Sequence, residues 1–328
     1  METNAGIALP HESGRPRRHR ASLPPGALSD LLPEIANHIA LITGADNLVR
    51  LNSRYLLIHP MYRSEASPTV VELYHDCDTS LDVVVKRVEK DRLLSPAQWA
   101  SARRELDIHR SLRHRNVVEF LDGGETEKEY VLMLEYLPAC DYFTSRIEVN
   151  NEPFCTKRDG AVEKFKSFTC DIVLGLAYLH ANGIIHMDLK PANLLLKKDV
   201  PTNEFPLVKL CDFGLSRRVS DDGSVLIEKK CGTSGYVAPE VCDQAFVTSA
   251  VDRWGLGVML HMLAVGFAPY ALRWKPGEEL KFNPRYWRKY ENTGLTDLIS
   301  RCLRLDPAER ITAQQALSHP WIALNGDM

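Results

Sequence analysis

The chain has 328 residues, of which 45% are apolar and 25% are charged, and its net charge is −3. That length suffices for one large domain or for two lobes around a cleft. The small net charge gives no overall attraction to nucleic acid or to an anionic membrane. Eight cysteines occur without a CxxC pair. We therefore expect free thiols in a reducing compartment. That compartment is expected to be the cytoplasm, the nucleus or both.

Residues 1–52 are predicted to form an N-terminal arm that is partly disordered. The first 28 residues are rich in Pro, Gly, Ser and Arg, a composition that cannot bury an apolar core. They include the basic run Arg15–Arg20, which is typical of a nuclear-import signal or of a site for a basophilic kinase. A solvated tail is the simpler interpretation. Asp30 to Ile42 is a candidate amphipathic helix with Pro33 in its first turn.

Strand signals begin near Tyr55. The segment Thr69 to Tyr74 is β-branched and aromatic, and the polar turn Asp76–Ser80 follows it. Leu81 to Lys86 is again mainly apolar, so the pattern predicts a β-hairpin.

A well-marked helix comes next. Ser95 and Gln98 form a capping box, and Pro96 occupies the first helical position. The pattern predicts that this helix ends near Leu112.

Two further strand-like stretches follow, Val117–Leu121 and Tyr130–Leu134. From Leu137 the apolar residues recur at three or four positions, and Asn182-Gly183 is predicted to end a long helix. The first part of the chain is therefore mainly sheet with one helix, and the second part is mainly helical.

The stretch Trp254 to Leu272 could be mistaken for a membrane span. It contains one His and no formal charge, and its length fits a bilayer. It also contains three glycines and Pro269. A helix that is apolar all round can equally be the centre of a large domain, and that interpretation is favoured.

A polar octet, His186–Asn193, lies between two apolar runs. Polar groups in such a setting need partners, because unpaired buried polar groups are costly. Leu210 then leads into Asp212-Phe213-Gly214. Two carboxylates, an amide and a lysine can hold Mg²⁺ through hard oxygen ligands and can position a hydroxyl and a phosphate.

At this point the sequence resembles the eukaryotic protein kinase family of the serine/threonine type, over roughly residues 54–322. The resemblance implies an α+β fold with two lobes. It places the kinase domain at 53–324, with an N-lobe at 53–136 and a C-lobe at 137–324. The other motifs occur in the order of the family and are Val83–Lys86, Glu105, Leu134–Leu137, Gly232–Glu240, Asp252-x-Trp254-x-x-Gly257, Arg310 and His319–Ile322.

The resemblance implies a role for each residue that matches a motif. Asp188 would accept or orient the proton of the incoming hydroxyl, with Lys190 and Asn193 completing the catalytic set. ATP and Mg²⁺ are the implied cofactors, with Asn193 and Asp212 as metal ligands. The nucleotide-binding residues are implied to be Lys86, Glu105, Glu135, Leu137, Val71, Val84, Leu195 and Asp212.

The family also implies a column of side chains through both lobes, here Phe213, His186, His109 and Phe120. Asp141 falls where the family often contacts ribose or substrate. The form of the catalytic loop and Thr233 resemble kinases that modify serine and threonine in proteins, so a protein substrate is expected.

Three features depart from the pattern of the family. The region Met61–Val70 has no glycine, although glycine lets backbone N–H groups approach phosphates. Val84 stands where alanine is usual and narrows the adenine pocket. Met187 replaces the arginine that reads an activation-loop phosphate, so the motif is HMD, and activity is expected to be largely independent of loop phosphorylation.

Two functions from different classes follow. An active protein kinase is favoured, because the chain retains every residue of the catalytic set. The alternative is a pseudokinase, a binding or scaffold module, which the glycine-less loop, Val84 and His109 favour. A kinase for a small molecule is weaker, because Gly232–Glu240 and Arg310 resemble the peptide-binding lobe of protein kinases. The sequence leaves the oligomeric state and the substrate open.

Overall fold

The computed structural model describes residues 54–138, 142–144, 160–198, 205–227, 231–269 and 278–323. The predicted N-terminal arm, with its basic run and candidate helix, lies outside these residues, as does Asp141. The domain limits at 53 and 324 therefore stay predictions.

The first part of the chain folds into a five-stranded antiparallel sheet with the order β1-β2-β3-β5-β4. Its strands are β1 (Tyr55–Arg63), β2 (Thr69–Asp76), β3 (Leu81–Glu89), β4 (Phe120–Glu125) and β5 (Glu129–Glu135).

The predicted hairpin is confirmed as β2–β3. Its register runs from Thr69 opposite Val88 to Asp76 opposite Leu81. Ser80 takes a φ of 55° in the connecting turn. Because side chains alternate across a strand, Val84 and Lys86 share one face of the sheet.

The helix α1 (Pro96–Arg110) packs on the sheet face that carries Lys86. Ser95 is its N-cap and accepts from the N–H of Gln98 at 3.3 Å. The predicted reciprocal bond is wrong, since Oε1 of Gln98 accepts from the N–H of Leu94 at 2.6 Å instead. The helix also ends two residues before the predicted Leu112.

The strand predicted at Val117–Leu121 begins later, at Phe120. Val117 forms an isolated bridge to Leu210, and the N–H of Val118 donates to the carbonyl of Leu210 at 2.9 Å. These residues are apolar and buried, as the pattern requires. Their backbone partner, however, lies in the second part of the chain, which local patterning cannot reveal.

The second part is mainly helical with short ladders. The helix α2 (Ala161–Ala181) ends at the predicted Asn182-Gly183, where Gly183 takes a φ of 66°. The remaining helices are α3 (Glu240–Asp243), α4 (Ala250–Val265), α5 (Pro284–Trp287), α6 (Leu295–Cys302), α7 (Ala313–Leu317) and α8 (Pro320–Ala323). The short strands are β6 (Ile184–Ile185), β7 (Leu194–Lys197), β8 (Leu207–Leu210), β9 (Arg217–Arg218), β10 (Val225–Leu226) and β11 (Phe246–Val247). Within the described ranges the 3-10 turns are Lys90–Arg92, Pro191–Asn193, Arg288–Tyr290 and Pro307–Glu309.

The helix α4 is the buried centre of this second part. Nearly all its residues are buried. At Gly257 an added Cβ would lie 2.7 Å from Cβ of Cys302, so α4 and α6 approach closely only because this residue is glycine. Among the described residues, no helix combines the length and apolarity that a membrane span requires.

Arg310 and Glu240, which belong to two of the motifs, form a buried ion pair. The guanidinium donates to both carboxylate oxygens, at 2.6 and 2.8 Å. It also donates to the carbonyl of Ala250 and lies over the ring of Trp254 at 4.9 Å. The pair therefore joins α3, α4 and the segment before α7.

We expect Arg310→Met to lower the free energy of unfolding by about 3–5 kcal/mol, because it leaves the Glu240 carboxylate buried without its partner. Urea unfolding at pH 7 measures the change. Arg301→Met is the matched control, since Arg301 and Asp297 form an exposed pair, for which a loss of under about 1 kcal/mol is expected. Equal losses in both variants would contradict this assignment.

Candidate active site

The carboxylate of Asp252, near the start of α4, holds the polar loop in place. Its Oδ2 accepts from the N–H of His186 and its Oδ1 from the N–H of Met187, both at 2.8 Å. His180 lies 2.9 Å from the same Oδ2. Met187 takes a φ of 71°, a strained conformation for a side-chain-bearing residue that these contacts stabilise. The motif marked Asp252, but nothing in the sequence indicated His180.

Asp188 is surrounded by hydrogen-bond donors. Its Oδ1 accepts from the N–H and the hydroxyl of Thr233, at 3.0 and 2.7 Å. Its Oδ2 lies 2.7 Å from Nζ of Lys190 and 3.2 Å from Nδ2 of Asn193. Burial raises the pKa of Asp188, but the hydrogen bonds from Lys190 and Thr233 outweigh burial and leave the pKa below its usual value. Asp188 is therefore an anion at neutral pH.

Lys86 links the sheet to the second part of the chain. Its Nζ lies 2.5 Å from Oε1 of Glu105 on α1 and 3.1 Å from Oδ1 of Asp212. Burial lowers the pKa of Lys86, but the two carboxylates outweigh it and raise that pKa above its usual value. The Lys86 ammonium lowers the pKa of Asp212 to about 2. Glu105 lies on a buried face of α1 with Ala102 and His109.

Asn193 and Asp212 lie at the same end of the β7–β8 ladder. Leu194 pairs with Leu210, and the N–H of Cys211 donates to the carbonyl of Asn193 at 3.0 Å. Asp212 takes a φ of 62°, and its side chain is 47% exposed. Nδ2 of Asn193 donates to Asp188.

Because Nδ2 of Asn193 donates to Asp188, its amide oxygen would be the atom available to a metal ion at this end of the ladder. Among the described residues, no group of three or more His, Cys, Asp and Glu side chains could hold a metal ion. One carboxylate and one amide oxygen still suit Mg²⁺, which commonly completes its shell with water and phosphate oxygens. The residues therefore fit the implied ion.

The predicted column through the two lobes is present. The ring of Phe213 lies 4.8 Å from that of His109 and 5.3 Å from that of His186, between centroids. His109 lies 6.1 Å from Phe120. The column therefore connects α1, the strand β4 and the catalytic loop.

His109 occupies the middle of this column and is 1% exposed. Its Nε2 donates to the carbonyl of Val118 at 2.8 Å when the proton is on that nitrogen. Burial lowers the pKa of His109 to about 4. The imidazole is therefore neutral at pH 7 and behaves as an aromatic ring among Phe213 and Phe120.

The implied nucleotide-lining residues fall into two groups. Val71 lies opposite Lys86, and Val84 lies opposite Leu134, so both are on the sheet face that carries Lys86. Leu195 is half-buried in β7, whereas its neighbours Leu194 and Leu196 point into the core.

Glu135 and Leu137 lie at the end of β5 and just past it. Leu137 is buried. The Glu135 carboxylate is bound by Lys209 and Lys197 and accepts from the N–H of Glu119. The N–H of Glu135 donates to the carbonyl of Glu119. A nucleotide contact from Glu135 would therefore have to come through its carbonyl oxygen.

A family model described as a protein kinase domain matches residues 66–322. The chain belongs to the protein kinase family. It is 34% identical to the serine/threonine-protein kinase DCLK3 of Homo sapiens over 76% of this chain and 37% of that protein. It is 31% identical to a probable myosin light chain kinase of Dictyostelium discoideum over 76% and 62% of the two chains. It is 34% identical to the calcium/calmodulin-dependent protein kinase type IV of Homo sapiens over 67% and 45%.

The chain thus spans between about one third and two thirds of the lengths of these relatives. The family match agrees with the five-stranded sheet and the helical second part, and the two-lobed α+β class expected from the sequence is confirmed.

The buried histidine of the kinase column should make stability depend on pH. The pKa of His109 lies below the unfolded value of about 6.5, so its contribution is complete above pH 6.5 and is lost as pH falls toward 4. Between pH 7 and pH 5 this histidine alone should reduce the free energy of unfolding by about 2 kcal/mol. In His109→Leu the free energy of unfolding should fall by about 2 kcal/mol less over the same pH range.

Urea unfolding at pH 7 and pH 5 measures both values. His59→Gln alters an exposed histidine and serves as the control. If His109→Leu and the parent protein lost the same stability between these pH values, the assignment of a neutral imidazole in the column would be wrong.

Proposed function

We propose that this chain is an active serine/threonine protein kinase that transfers the γ-phosphate of Mg·ATP to protein hydroxyl groups. The observation that carries the proposal is the contact of Lys86 with Glu105 at 2.5 Å and with Asp212 at 3.1 Å. This arrangement brings the phosphate-binding lysine of the sheet to the metal-binding aspartate of the second part. Phosphoryl transfer depends mainly on such positioning and charge neutralisation.

Asp188 supplies the acceptor for the substrate proton. It is ionised at neutral pH and fixed by Lys190, Asn193 and Thr233. A serine or threonine hydroxyl beside it is oriented by donating a hydrogen bond to the carboxylate. Lys190 is placed to neutralise charge on the phosphate being transferred, because its Nζ lies beside both Asp188 and Thr233.

Lys86 would bind the α- and β-phosphates, and Glu105 fixes its direction. Asn193 and Asp212 would hold Mg²⁺, which when bound neutralises phosphate charge. Val71, Val84 and Leu195 supply apolar surface for the adenine ring. The location of the protein in the cytoplasm or the nucleus remains a prediction.

A pseudokinase is the second candidate, and the glycine-less turn after β1 favours it. Without glycine a close approach of the backbone to phosphates is less favourable, so the affinity for ATP is the weakest part of the proposal. A catalytic assay separates the two functions, because the pseudokinase would transfer no phosphate.

Asp188→Asn tests the enzyme directly. With labelled ATP, Mg²⁺ and a generic protein substrate, we expect the turnover number to fall at least about 100-fold, because the base is neutralised. The change keeps the side-chain shape, and the thermal shift caused by Mg·ATP should remain.

Asp222→Asn is the control, since Asp222 is an exposed carboxylate outside the catalytic loop, and it should keep full activity. Absence of transfer together with absence of a thermal shift at millimolar Mg·ATP would exclude the enzyme. A shift without transfer would favour the pseudokinase.

The activation segment comprises the residues between Asp212 and Glu240. Its described part should keep its conformation without a bound phosphate. Val225 and Leu226 pair with Val247 and Phe246 in the β10–β11 ladder, and the N–H of Ile227 donates to the carbonyl of Ala245 at 2.7 Å. Backbone hydrogen bonds therefore fix residues 225–227 against residues 245–247, and the side chain of Met187 cannot pair with a phosphate.

We expect Ser220→Ala and Ser224→Ala to leave kcat/KM within about threefold of the parent, consistent with the loss of one or two exposed hydrogen bonds. Treatment with a protein phosphatase before the assay should have no larger effect. Abolished activity in the alanine variants, restored by aspartate at the same positions, would contradict this prediction.

A further inference from the structure

Arg92, in the 3-10 turn after β3, is bonded to the turn that connects β1 and β2. Its guanidinium donates to the carbonyl of Ser64 at 3.0 Å and to the carbonyl of Glu65 at 2.5 Å. It also pairs with Glu89 at 2.9 Å. One side chain therefore joins the end of β3 to the turn that, by its place between β1 and β2, corresponds to the phosphate loop.

The turn is also attached to the β2–β3 ladder. Thr69 pairs with Val88, and the N–H of Glu89 donates to the carbonyl of Pro68 at 2.9 Å. The ladder therefore continues into the turn itself. Together with Arg92, these bonds attach residues 64–68 to the end of β3.

The 3-10 turn that carries Arg92 is itself held in place by hydrogen bonds. Nζ of Lys90 donates to Oε1 of Glu125 at 2.7 Å and to the carbonyl of Thr126 at 2.5 Å. The N–H of Lys90 donates to the carbonyl of Lys128 at 2.8 Å. The 3-10 turn is thereby held to the β4–β5 connection, so Arg92 projects from a rigid base.

Three backbone donors in residues 66–69 are used inside the turn. The N–H groups of Ala66 and Ser67 donate to Oγ and the carbonyl of Ser64, at 3.2 and 3.3 Å. The N–H of Thr69 donates to Oγ of Ser67 at 3.2 Å, and Pro68 has no N–H. These are the groups that would have to point at a bound phosphate.

We propose that Arg92 is a positioning residue that holds the β1–β2 turn to the end of β3, with amides of the turn bonded inside it and not presented to the phosphates of the nucleotide. Nucleotide affinity then comes from Lys86, the metal ligands and the apolar surface, and the turn contributes little. The inference about the nucleotide rests on the proposed kinase function, whereas the bond between Arg92 and the turn does not.

Two measurements on the full chain test the proposal, with Arg92→Ala as the variant. Hydrogen exchange of the amides of Glu65, Ala66, Ser67 and Thr69 should become at least tenfold faster, because the turn loses its external bonds. The dissociation constant of Mg·ATP, measured by calorimetry, should fall at least threefold, because the released turn can reach the phosphates. The dissociation constant of adenosine should stay within twofold.

Arg63→Ala is the matched control. Arg63 lies 3.8 Å from the same Glu89 carboxylate and is 64% exposed at its side chain, but it makes no hydrogen bond to the turn among the contacts of the described residues. This variant should leave both the amide exchange and the affinity for Mg·ATP as in the parent.

Unchanged exchange in Arg92→Ala would overturn the proposal, because the turn would then be held by its internal bonds alone. Weaker binding of Mg·ATP, or an equal change for adenosine, would also overturn it, since the turn would then support the nucleotide or the whole sheet would be damaged. If the parent bound no Mg·ATP, the proposed kinase function would fail, and the exchange measurement would still decide whether Arg92 holds the turn.

Discussion

The whole site depends on the buried carboxylate of Asp252. It accepts the N–H groups of His186 and Met187 at 2.8 Å each, and its place on the buried helix α4 makes it immobile. A buried carboxylate that accepts hydrogen bonds from two amide N–H groups strongly constrains the loop that carries them. If the bonds broke, neither the carboxylate nor the amides would find another hydrogen-bond partner in the interior. With the loop fixed at that point, Asp188 faces Thr233 and the ring of His186 reaches Phe213.

A second set of contacts relates the sheet to this loop. The ion pair of Lys86 with Glu105 and Asp212, and the column through His109 and Phe213, both cross from α1 to the second part of the chain. One contact is ionic and the other is aromatic. Both the ion pair and the aromatic column include residues of α1, so a displacement of that helix would break both. The position of α1 therefore controls whether Lys86, Glu105 and Asp212 lie together.

The residues that could be predicted lie in short segments whose chemistry is local. Lys86 and Asp188 were assigned from motifs, and the hairpin and the end of α2 followed from turn chemistry and periodicity. What could not be predicted depends on distant partners. The bridge of Val117 to Leu210 and the bonds of Arg92 to the turn join residues that are far apart or weakly patterned. The site roles themselves stay predictions until they are measured.

The carboxylate of Glu135 has a consequence for how the two lobes move. It is bound from the β7–β8 hairpin by Lys209, which is buried, and by Lys197, which is half-exposed. The strand that enters the connection between the lobes is thus tethered on the side away from the cleft. A rotation of one lobe about the other would stretch both contacts, and the partly exposed Lys197 contact would resist it less as ionic strength rises.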